Sequence, residues 1–189
     1  FLPLRDDRGH VSHVCIVIKD VTEIAMCQLQ LQSALAEIEE LSRRDGLTGV
    51  PNRRHIDQVL DQELARHRRY GSALSVALLD LDHFKQVNDM YGHVFGDEVL
   101  RALAQTLDAT RRANDVVGRY GGEEFVIVLP GVEGNHAFAA GERSRKAVES
   151  LELHHHGTSV PLTISVGVCS VAPHLETPDA ILDEADKAM

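Results

Sequence analysis

The sequence predicts an α+β fold, and three observations carry that prediction. Residues 72–80 form a nearly continuous apolar run, which is typical of a central strand buried on both faces. Residues 116–120 and 125–129 are apolar and flank Gly121-Gly122, a pattern that indicates a β-hairpin. Apolar residues also recur at helical spacing, at Val99, Leu100, Leu103 and Leu107. Strands and helices therefore alternate along one domain.

The remaining elements of this domain follow in order along the chain. Segment 45–54 predicts a turn of structural character, in which Asn52 caps the next helix. The helix with the apolar stripe is expected to start after Gly96-Asp97, and another helix is expected near 135–151. A strand near 162–170 and a helix from Pro178 complete a domain that spans 45–189.

Two shorter zones precede this domain. Residues 1–23 look like the end of a β-rich unit, with a turn at 6–9 and a candidate strand at 13–19. Residues 24–44 lack Gly and Pro, and their apolar positions alternate in steps of three and four, as in a parallel coiled coil. A dimerising linker helix is the preferred interpretation. The alternative is an amphipathic connector that packs on its own domain.

The composition excludes several classes of function. A formal net charge of −10 argues against a binder of nucleic acids or membrane surfaces, because both need a basic face. No apolar run is long enough to span a bilayer, and three widely spaced cysteines suggest neither a disulfide framework nor a zinc site. We therefore expect a cytoplasmic segment without direct membrane contact. Because the chain begins at Phe1, it is expected to be a fragment, whose full-length protein can still be membrane-attached.

Four carboxylates form the strongest chemical signal. Asp80 and Asp82 lie at the end of the predicted buried strand, and their spacing places both on one face if the strand continues that far. Glu123 and Glu124 follow the diglycine turn. Packing does not explain such a set, because burying unpaired charge is costly. Two Mg²⁺ ions suit these hard oxygen ligands, so the residues alone predict metal-assisted phosphoryl or nucleotidyl transfer.

Three consecutive histidines, His154-His155-His156, invite a metal-site interpretation that we reject. Consecutive side chains cannot all face one ion. Their position between a predicted helix and a predicted strand indicates a loop of solvated histidines.

Several longer motifs occur in a fixed order. They are Asp45-Gly-Leu-Thr-Gly-Val-Pro-Asn-Arg-Arg54, Leu79-Asp-Leu-Asp-His-Phe-Lys-Gln-Val-Asn-Asp89, Tyr91-Gly-His-Val-Phe-Gly-Asp97 and Arg119-Tyr-Gly-Gly-Glu-Glu-Phe125, continued by Leu162–Val168 and Ala185–Met189. In order and spacing they resemble the GGDEF family of diguanylate cyclases, over residues 41–189. The resemblance implies a nucleotidyl-cyclase-like fold, with a central, mainly antiparallel sheet wrapped by helices. Residues 1–23 resemble the end of a PAS sensor domain, with its Asp-Val-Thr-Glu tetrad at 20–23.

The resemblance implies a metal and catalytic site residue by residue. The carboxylates of Asp80, Glu123 and Glu124 hold the metals, and the main-chain carbonyl of Leu81 helps. Two Mg²⁺ ions per active site are implied, with Mn²⁺ as the alternative. Glu123 and Glu124 are also the implied catalytic residues. Asp82 belongs to the motif, and a structural hydrogen bond is its simple interpretation.

The same resemblance implies GTP as the substrate. Asn88 and Asp97 match residues that recognise guanine, and an amide and a carboxylate suit the acceptor and donor edges of that base. Gly122 matches a further substrate-binding position. The positions that match the family's phosphate contacts lie at the start of a helix, and they are His83, Phe84 and Lys85.

A second site is implied upstream of the hairpin. Arg112 and Asp115 match the family's product-inhibition site in their spacing from Gly121. Arg can grip guanine and phosphate, and Asp can accept from the guanine N–H edge, so the ligand would be cyclic di-GMP. Taken alone, the pair reads as a helix C-terminal Arg beside a turn Asp.

The function implied is that of an enzyme. A homodimer condenses two GTP molecules into cyclic di-GMP and two pyrophosphates, under product inhibition, and neither nucleic acid nor membrane is a partner. Two alternatives stay open: a catalytically weak regulatory module that binds GTP or cyclic di-GMP, and a cyclase that makes a mixed dinucleotide. The family usually continues with a Lys and an Arg that contact phosphates. We therefore expect that the C-terminal end is missing after Met189 and that the grip on the triphosphate is weaker.

Overall fold

The computed structural model describes residues 2–5, 7–8, 11–15, 26, 28, 43–172 and 175–189, with the backbone alone for 2–5 and 11–15. The chain forms two compact units, Phe1–Leu41 and Ser42–Met189, and each is described by itself. In the first unit, strands β1 (Leu2–Arg5) and β2 (Val11–Cys15) pair antiparallel. The strand predicted at 13–19 therefore starts earlier than expected. Its end and nearly all of the predicted linker helix lie outside the described residues.

The second unit contains the alternating elements that the sequence predicted. In chain order they are α1 (Arg53–Tyr70), β3 (Leu74–Leu81), α2 (Phe84–Tyr91), α3 (His93–Thr110), β4 (Val116–Arg119), β5 (Glu124–Pro130), α4 (Gly134–Glu149), β6 (Leu153–His155), β7 (Thr158–Val160), β8 (Ile164–Ser170) and α5 (Pro178–Lys187). Four strands form one sheet in the order β4-β5-β3-β8, and every neighbouring pair is antiparallel. The predicted fold class is confirmed: an antiparallel sheet is flanked by helices.

Strand β3 is the central strand because its residues suit burial on both faces. Ala77, Leu79 and Leu81 pack with α3 and α4 on one face, whereas Val76 and Leu78 pack with α1 and α5 on the other. The strand is buried along most of its length, as its continuous apolar run predicted. The carboxyl end of β3 is thereby fixed between two helical layers.

Local signals explain where the two helices on the second face begin. The Asn52 side chain accepts a hydrogen bond from the His55 backbone N–H (3.0 Å), as predicted for the cap of α1. At α5, the Thr177 hydroxyl accepts from the Ala180 N–H (3.2 Å), and Pro178 follows in the first turn. These caps fix the register with which both helices cover the sheet.

Two expectations about local structure were wrong. Helix α3 begins at His93, so Gly96 and Asp97 lie inside its first turns rather than before it. The low helix propensity of Gly96 suggested that the helix would start after it. The helix starts earlier because the preceding break in the backbone lies at Gly92, which has φ 85°. The histidine run is not a loop either, since His154 and His155 lie on β6. A strand of three residues is too short to display the alternation by which strands are recognised.

No helix that the structure describes combines the length and the apolar character needed to cross a membrane.

Candidate active site

The sheet register brings the predicted carboxylates to one face. Asp80 on β3 lies directly opposite Glu124 of β5 and Ser165 of β8. Residues paired in this way project to the same side of a sheet. Because Val76 and Leu78 face α1 and α5, their even-numbered neighbour Asp80 projects to that side as well.

The hairpin between β4 and β5 folds one glutamate back over its own turn. The backbone N–H groups of Tyr120 and Gly121 both donate to the Glu124 carbonyl, at 2.8 and 3.3 Å. A Cβ atom on Gly121 would collide with the Glu124 carboxylate, so the glycine makes room for that side chain. A Cβ atom on Gly122 would meet no protein atom within 4 Å, so the space beside the second glycine is open.

The carboxylates are close enough to perturb one another. Burial is the largest cause that raises the pKa of Asp80 above its usual range, and the negative charges of Glu123, Glu124, Asp82 and Asp186 raise it further. Three predicted metal ligands are therefore electrostatic neighbours. Their mutual repulsion favours the arrival of a cation or a proton.

Asp82 is hydrogen-bonded to the start of β8 and to the residue before it. Its two carboxylate oxygens accept hydrogen bonds from the hydroxyls of Thr163 (2.6 Å) and Ser165 (2.7 Å), and its N–H donates to the Thr163 carbonyl (3.1 Å). Ser165 is also the residue opposite Asp80, so both aspartates lie on the same face, as their spacing predicted. Asp82 has a structural role here and fixes the end of β3.

The donor set fits a hard divalent cation by its chemistry. It comprises three carboxylates, of Asp80, Glu123 and Glu124, and the carbonyl of Leu81 at the end of β3. Within the described parts of the chain, no three His, Cys, Asp or Glu side chains converge in a group that could hold a metal ion. The ligands are thus suitable in kind, and their side chains must adjust to converge on an ion.

Residues predicted to read the base lie where α2 meets α3. A Cβ atom on Gly96 would collide with the Asn88 side-chain oxygen, so the Asn88 amide lies directly on the residue before Asp97. The Gly92 N–H donates to the Asn88 carbonyl (2.9 Å) and ends α2 there. The structure therefore places the Asn88 amide against α3, at the residue that precedes Asp97.

The start of α2 has the form of an anion-binding helix terminus. His83 precedes the helix at φ 58° and ψ 25°, a left-handed conformation that is uncommon outside glycine, and its side chain makes no capping hydrogen bond. The first N–H groups of a helix have no partner within the helix. The N–H groups of Phe84 and Lys85 thus lie just after the end of β3, and the Lys85 side chain is exposed.

The predicted inhibition residues form a closed turn at the end of α3. The Arg112 N–H donates to the Asp115 carboxylate (2.9 Å), and the Asp115 N–H donates back to the Arg112 carbonyl (3.1 Å). Asp115 is only 3% exposed, whereas Arg112 is exposed. Asp115 therefore shapes the turn that presents Arg112. A cleft of about 420 Å³ borders this turn, with Arg44, Asp108 and Arg111 among its lining residues.

A family model described as diguanylate cyclase, GGDEF domain, matches residues 42–189. The chain belongs to this family. It is 38% identical over 164 residues to the probable diguanylate cyclase DgcC of Escherichia coli K12, which covers 85% of this chain and 44% of DgcC. The chain thus spans less than half the length of that relative.

Solved structures resemble this GGDEF domain over most of its length. The coiled coil and GGDEF domain of DgcB from Caulobacter crescentus, in complex with c-di-GMP, has a TM-score of 0.78 and 28% identity, covering 89% of this chain and 92% of that one. The active GGEEF domain of a diguanylate cyclase from Vibrio cholerae has a TM-score of 0.68 and 31% identity, covering 72% of this chain and 86% of that one.

One partly buried connection of the GGDEF domain escaped the sequence analysis. The Arg119 guanidinium donates to the Gly122 carbonyl at 3.1 and 2.7 Å and pairs with Asp45 at 3.1 Å. Burial alone would raise the pKa of Asp45, but hydrogen bonds from Thr48 and then the Arg119 contact outweigh it, so the pKa falls below its usual range. Residues 45 and 119 are far apart in sequence, and no spacing rule connects them.

Asp186 was also missed as a neighbour of the carboxylates. A Cβ atom on Gly167 would collide with the Ala185 carbonyl, so the C-terminal end of α5 packs directly on β8. Gly167 shares its sheet face with Ser165, which lies opposite Asp80. This contact brings the negative charge of Asp186 towards Asp80, where it contributes to the raised pKa. The motif residues 185–189 were the only signal in the sequence.

Proposed function

We propose that this chain is the catalytic part of a diguanylate cyclase, which condenses two GTP molecules into cyclic di-GMP. The observation that carries the proposal is the register of the sheet. It sets Asp80 beside the hairpin glutamates, on the strand whose end leads directly into α2 and the Asn88–Gly96 contact. The chain also belongs to a family of diguanylate cyclases.

The base of GTP would bind between α2 and α3. The Asn88 amide and the Asp97 carboxylate offer complementary partners to the acceptor and donor edges of guanine. Adenine presents a different pattern, so the carboxylate would disfavour ATP and hence a mixed dinucleotide. The phosphates would lie over the backbone N–H groups at Phe84 and the ammonium of Lys85, with His83 holding the turn before them.

The space beside Gly122 supports a close approach by the substrate. Its Cβ position is open, and its φ is not among the left-handed values, so neither packing within the protein nor backbone conformation requires a glycine there. This open space would let a ligand lie directly against the backbone.

Asp80, Glu123, Glu124 and the Leu81 carbonyl would hold Mg²⁺ or Mn²⁺, two ions per active site. Bound divalent ions lower the pKa of the attacking hydroxyl and neutralise the phosphates. Glu123 would accept the proton of the 3′-hydroxyl. The 3′-oxygen then forms a bond to the α-phosphorus of the second GTP, the bond to the β-phosphate oxygen breaks, and pyrophosphate leaves. A second such step closes the ring.

The reaction needs two GTP molecules face to face, so we propose a homodimer in which each protomer binds one. The linker at 24–44 would pair two chains, and the PAS-like segment at 1–23 would connect it to a sensor. Both assignments rest on the sequence alone, as does the cytoplasmic location. Cyclic di-GMP would inhibit by binding Arg112 in the turn that Asp115 holds, which would stop the two active sites from meeting.

The test is turnover by the full chain with GTP, ATP and Mg²⁺, with products identified by mass spectrometry. We expect cyclic di-GMP from GTP and no incorporation of ATP. Glu123→Gln should lower the rate by at least about 100-fold, since a general base typically contributes that much. Glu152→Gln, which removes an exposed carboxylate far from the site in sequence, is the matched control. The Arg112→Ala variant should still synthesise cyclic di-GMP, and cyclic di-GMP should no longer inhibit it.

The binding-module alternative makes a different forecast. A chain of this kind would bind GTP or cyclic di-GMP and release no pyrophosphate at any concentration of divalent metal. Incorporation of ATP would instead identify a mixed-dinucleotide cyclase.

A further inference from the structure

The short hairpin β6–β7 carries two histidines in different surroundings. His154 is exposed, whereas His155 is half-buried. Successive residues of a strand face opposite sides, and Leu153, which shares the side of His155, packs against the core. Val160, the strand partner of Leu153, is buried as well. The hairpin therefore directs His155 inwards and His154 outwards.

Besides its neighbour His156, at a centroid distance of 4.2 Å, His155 contacts two rings from other elements. Its ring centroid lies 5.2 Å from that of Tyr91 and 4.7 Å from that of Phe95, and those two centroids are 5.4 Å apart. The interplanar angles are between 59° and 64°, which are the tilted and edge-to-face arrangements that aromatic rings prefer. Phe95 is 4% exposed, so the cluster continues into the core.

The three rings come from three separate elements. Tyr91 is the last residue of α2, Phe95 lies in the first turn of α3, and His155 ends β6. Between the two helices, Gly92 has φ 85° and ψ 157°, so the backbone is not helical at that point. His155 thus contacts both sides of a helix break from a position sixty residues further along the chain, at roughly van der Waals range.

The same break holds the two proposed base-reading residues. Asn88 lies one turn before Tyr91, and Asp97 lies two residues after Phe95. Gly96 allows the Asn88 side chain to lie directly against α3. Any change in the angle between α2 and α3 would move the amide relative to the carboxylate. Binding geometry of this kind tolerates displacements of only about 0.5 Å.

We propose that His155 is a positioning residue for base recognition, which holds α2 against α3 so that Asn88 and Asp97 meet guanine together. This inference rests on the proposed function, because it assigns a specificity role at the same site. His155 itself touches no substrate in this scheme. It acts through Tyr91 and Phe95.

The test measures affinity and base selectivity separately from chemistry. Binding of the α,β-methylene analogue of GTP is measured by calorimetry, and pyrophosphate release is followed with GTP and with ITP, which lacks the exocyclic amino group. We expect His155→Ala to raise KM for GTP and Kd for the analogue about 10-fold, because misaligning one hydrogen bond to the base costs about that factor in affinity. The kcat should change by less than about 2-fold, and discrimination against ITP should fall.

Two further variants complete the design. His155→Phe keeps an aromatic ring and should restore affinity and selectivity. His154→Ala removes the neighbouring histidine on the outward side and should behave as the unsubstituted chain. If His155→Ala is unfolded by circular dichroism, His155→Leu fills the same space without a ring and is expected to show a smaller loss of affinity and selectivity.

The outcomes separate this inference from the proposed function. If the unsubstituted chain neither binds the analogue nor releases pyrophosphate, the proposed function is contradicted. An active chain whose His155→Ala and His155→Leu variants keep its affinity and its preference for GTP over ITP contradicts the positioning role alone. A loss of kcat at unchanged KM also contradicts it.

Discussion

At the scale of single residues, the hairpin depends on an ion pair that lies behind it. Arg119 uses one edge of its guanidinium for the Gly122 carbonyl and another nitrogen for Asp45. Asp45 also accepts from both the N–H (2.9 Å) and the hydroxyl (2.6 Å) of Thr48, so the carboxylate is held in a single orientation. The turn at 45–54 is thus structural, as the sequence indicated, and it supports the tip of the β4–β5 hairpin.

The acid dependence of stability should reveal this ion pair. The folded-state pKa of Asp45 lies below the ordinary value of an aspartate, so its stabilising effect is fully present above about pH 4 and is lost as the pH falls through the folded-state pKa. Asp45→Asn should lower the free energy of unfolding by about 1–2 kcal/mol at neutral pH. Thermal melts from pH 7 to pH 3 should show this deficit shrinking only below about pH 4.

Asp61→Asn is the matched control, because Asp61 is an exposed residue on α1. Its effect at neutral pH should stay within about 0.5 kcal/mol. A deficit of Asp45→Asn that is constant down to pH 3 would show that the charge of Asp45 contributes nothing, and that any loss comes from the altered hydrogen bonds.

At the scale of elements, the packing of α5 on β8 is as tight as the backbone allows. Gly167 lies under the Ala185 carbonyl, and Met189 N lies 2.9 Å from the position where a Cβ would be. These are backbone atoms, which cannot rotate away as the end of a side chain can. Because Gly167 has no Cβ, the end of α5 can lie this close to β8, and Asp186 is thereby positioned relative to Asp80.

Substituting Gly167→Ala should displace α5. Overpacking of this kind costs about 1–3 kcal/mol, and unfolding in urea measures it. Gly46→Ala is the control, because a Cβ on Gly46 has no atom within 4 Å and its φ is not left-handed. Equal stability of both variants would mean that α5 is not held against the sheet at this point.

The elements differ in how far the sequence predicted them. The run at 72–80 and the hairpin around Gly121 were readable, because burial on both faces and a diglycine turn leave direct patterns. The β6–β7 hairpin was missed because its strands are three residues long. The site divides in the same way: the motif carboxylates were predicted, whereas Asp186 and the Asp45–Arg119 pair depend on contacts between distant segments that only the folded chain specifies.

At the scale of the whole molecule, the proposed chemistry imposes a requirement that one domain cannot meet. Each GTP must serve as nucleophile to the other, so two domains must face one another with their hairpins together. The chain carries a net charge of −10, and two such chains repel each other more strongly at low ionic strength. A linker that pairs two chains would offset this repulsion by raising the effective concentration of the partner domain.

Substitutions in the linker test this requirement. Leu31 and Ile38 occupy apolar positions of the repeat, and Gln32 lies beside them off the repeat. We expect Leu31→Glu with Ile38→Glu to lower both the dimer fraction, measured by sedimentation velocity, and the pyrophosphate released per protomer by about 10-fold at micromolar protein. The rate per protomer should then rise with protein concentration, because association becomes limiting.

Gln32→Glu is the control, because it adds the same kind of charge outside the apolar positions of the repeat. It should leave the dimer fraction and the rate per protomer unchanged. Turnover that stays independent of protein concentration in the double variant would mean that the catalytic domains pair without the linker.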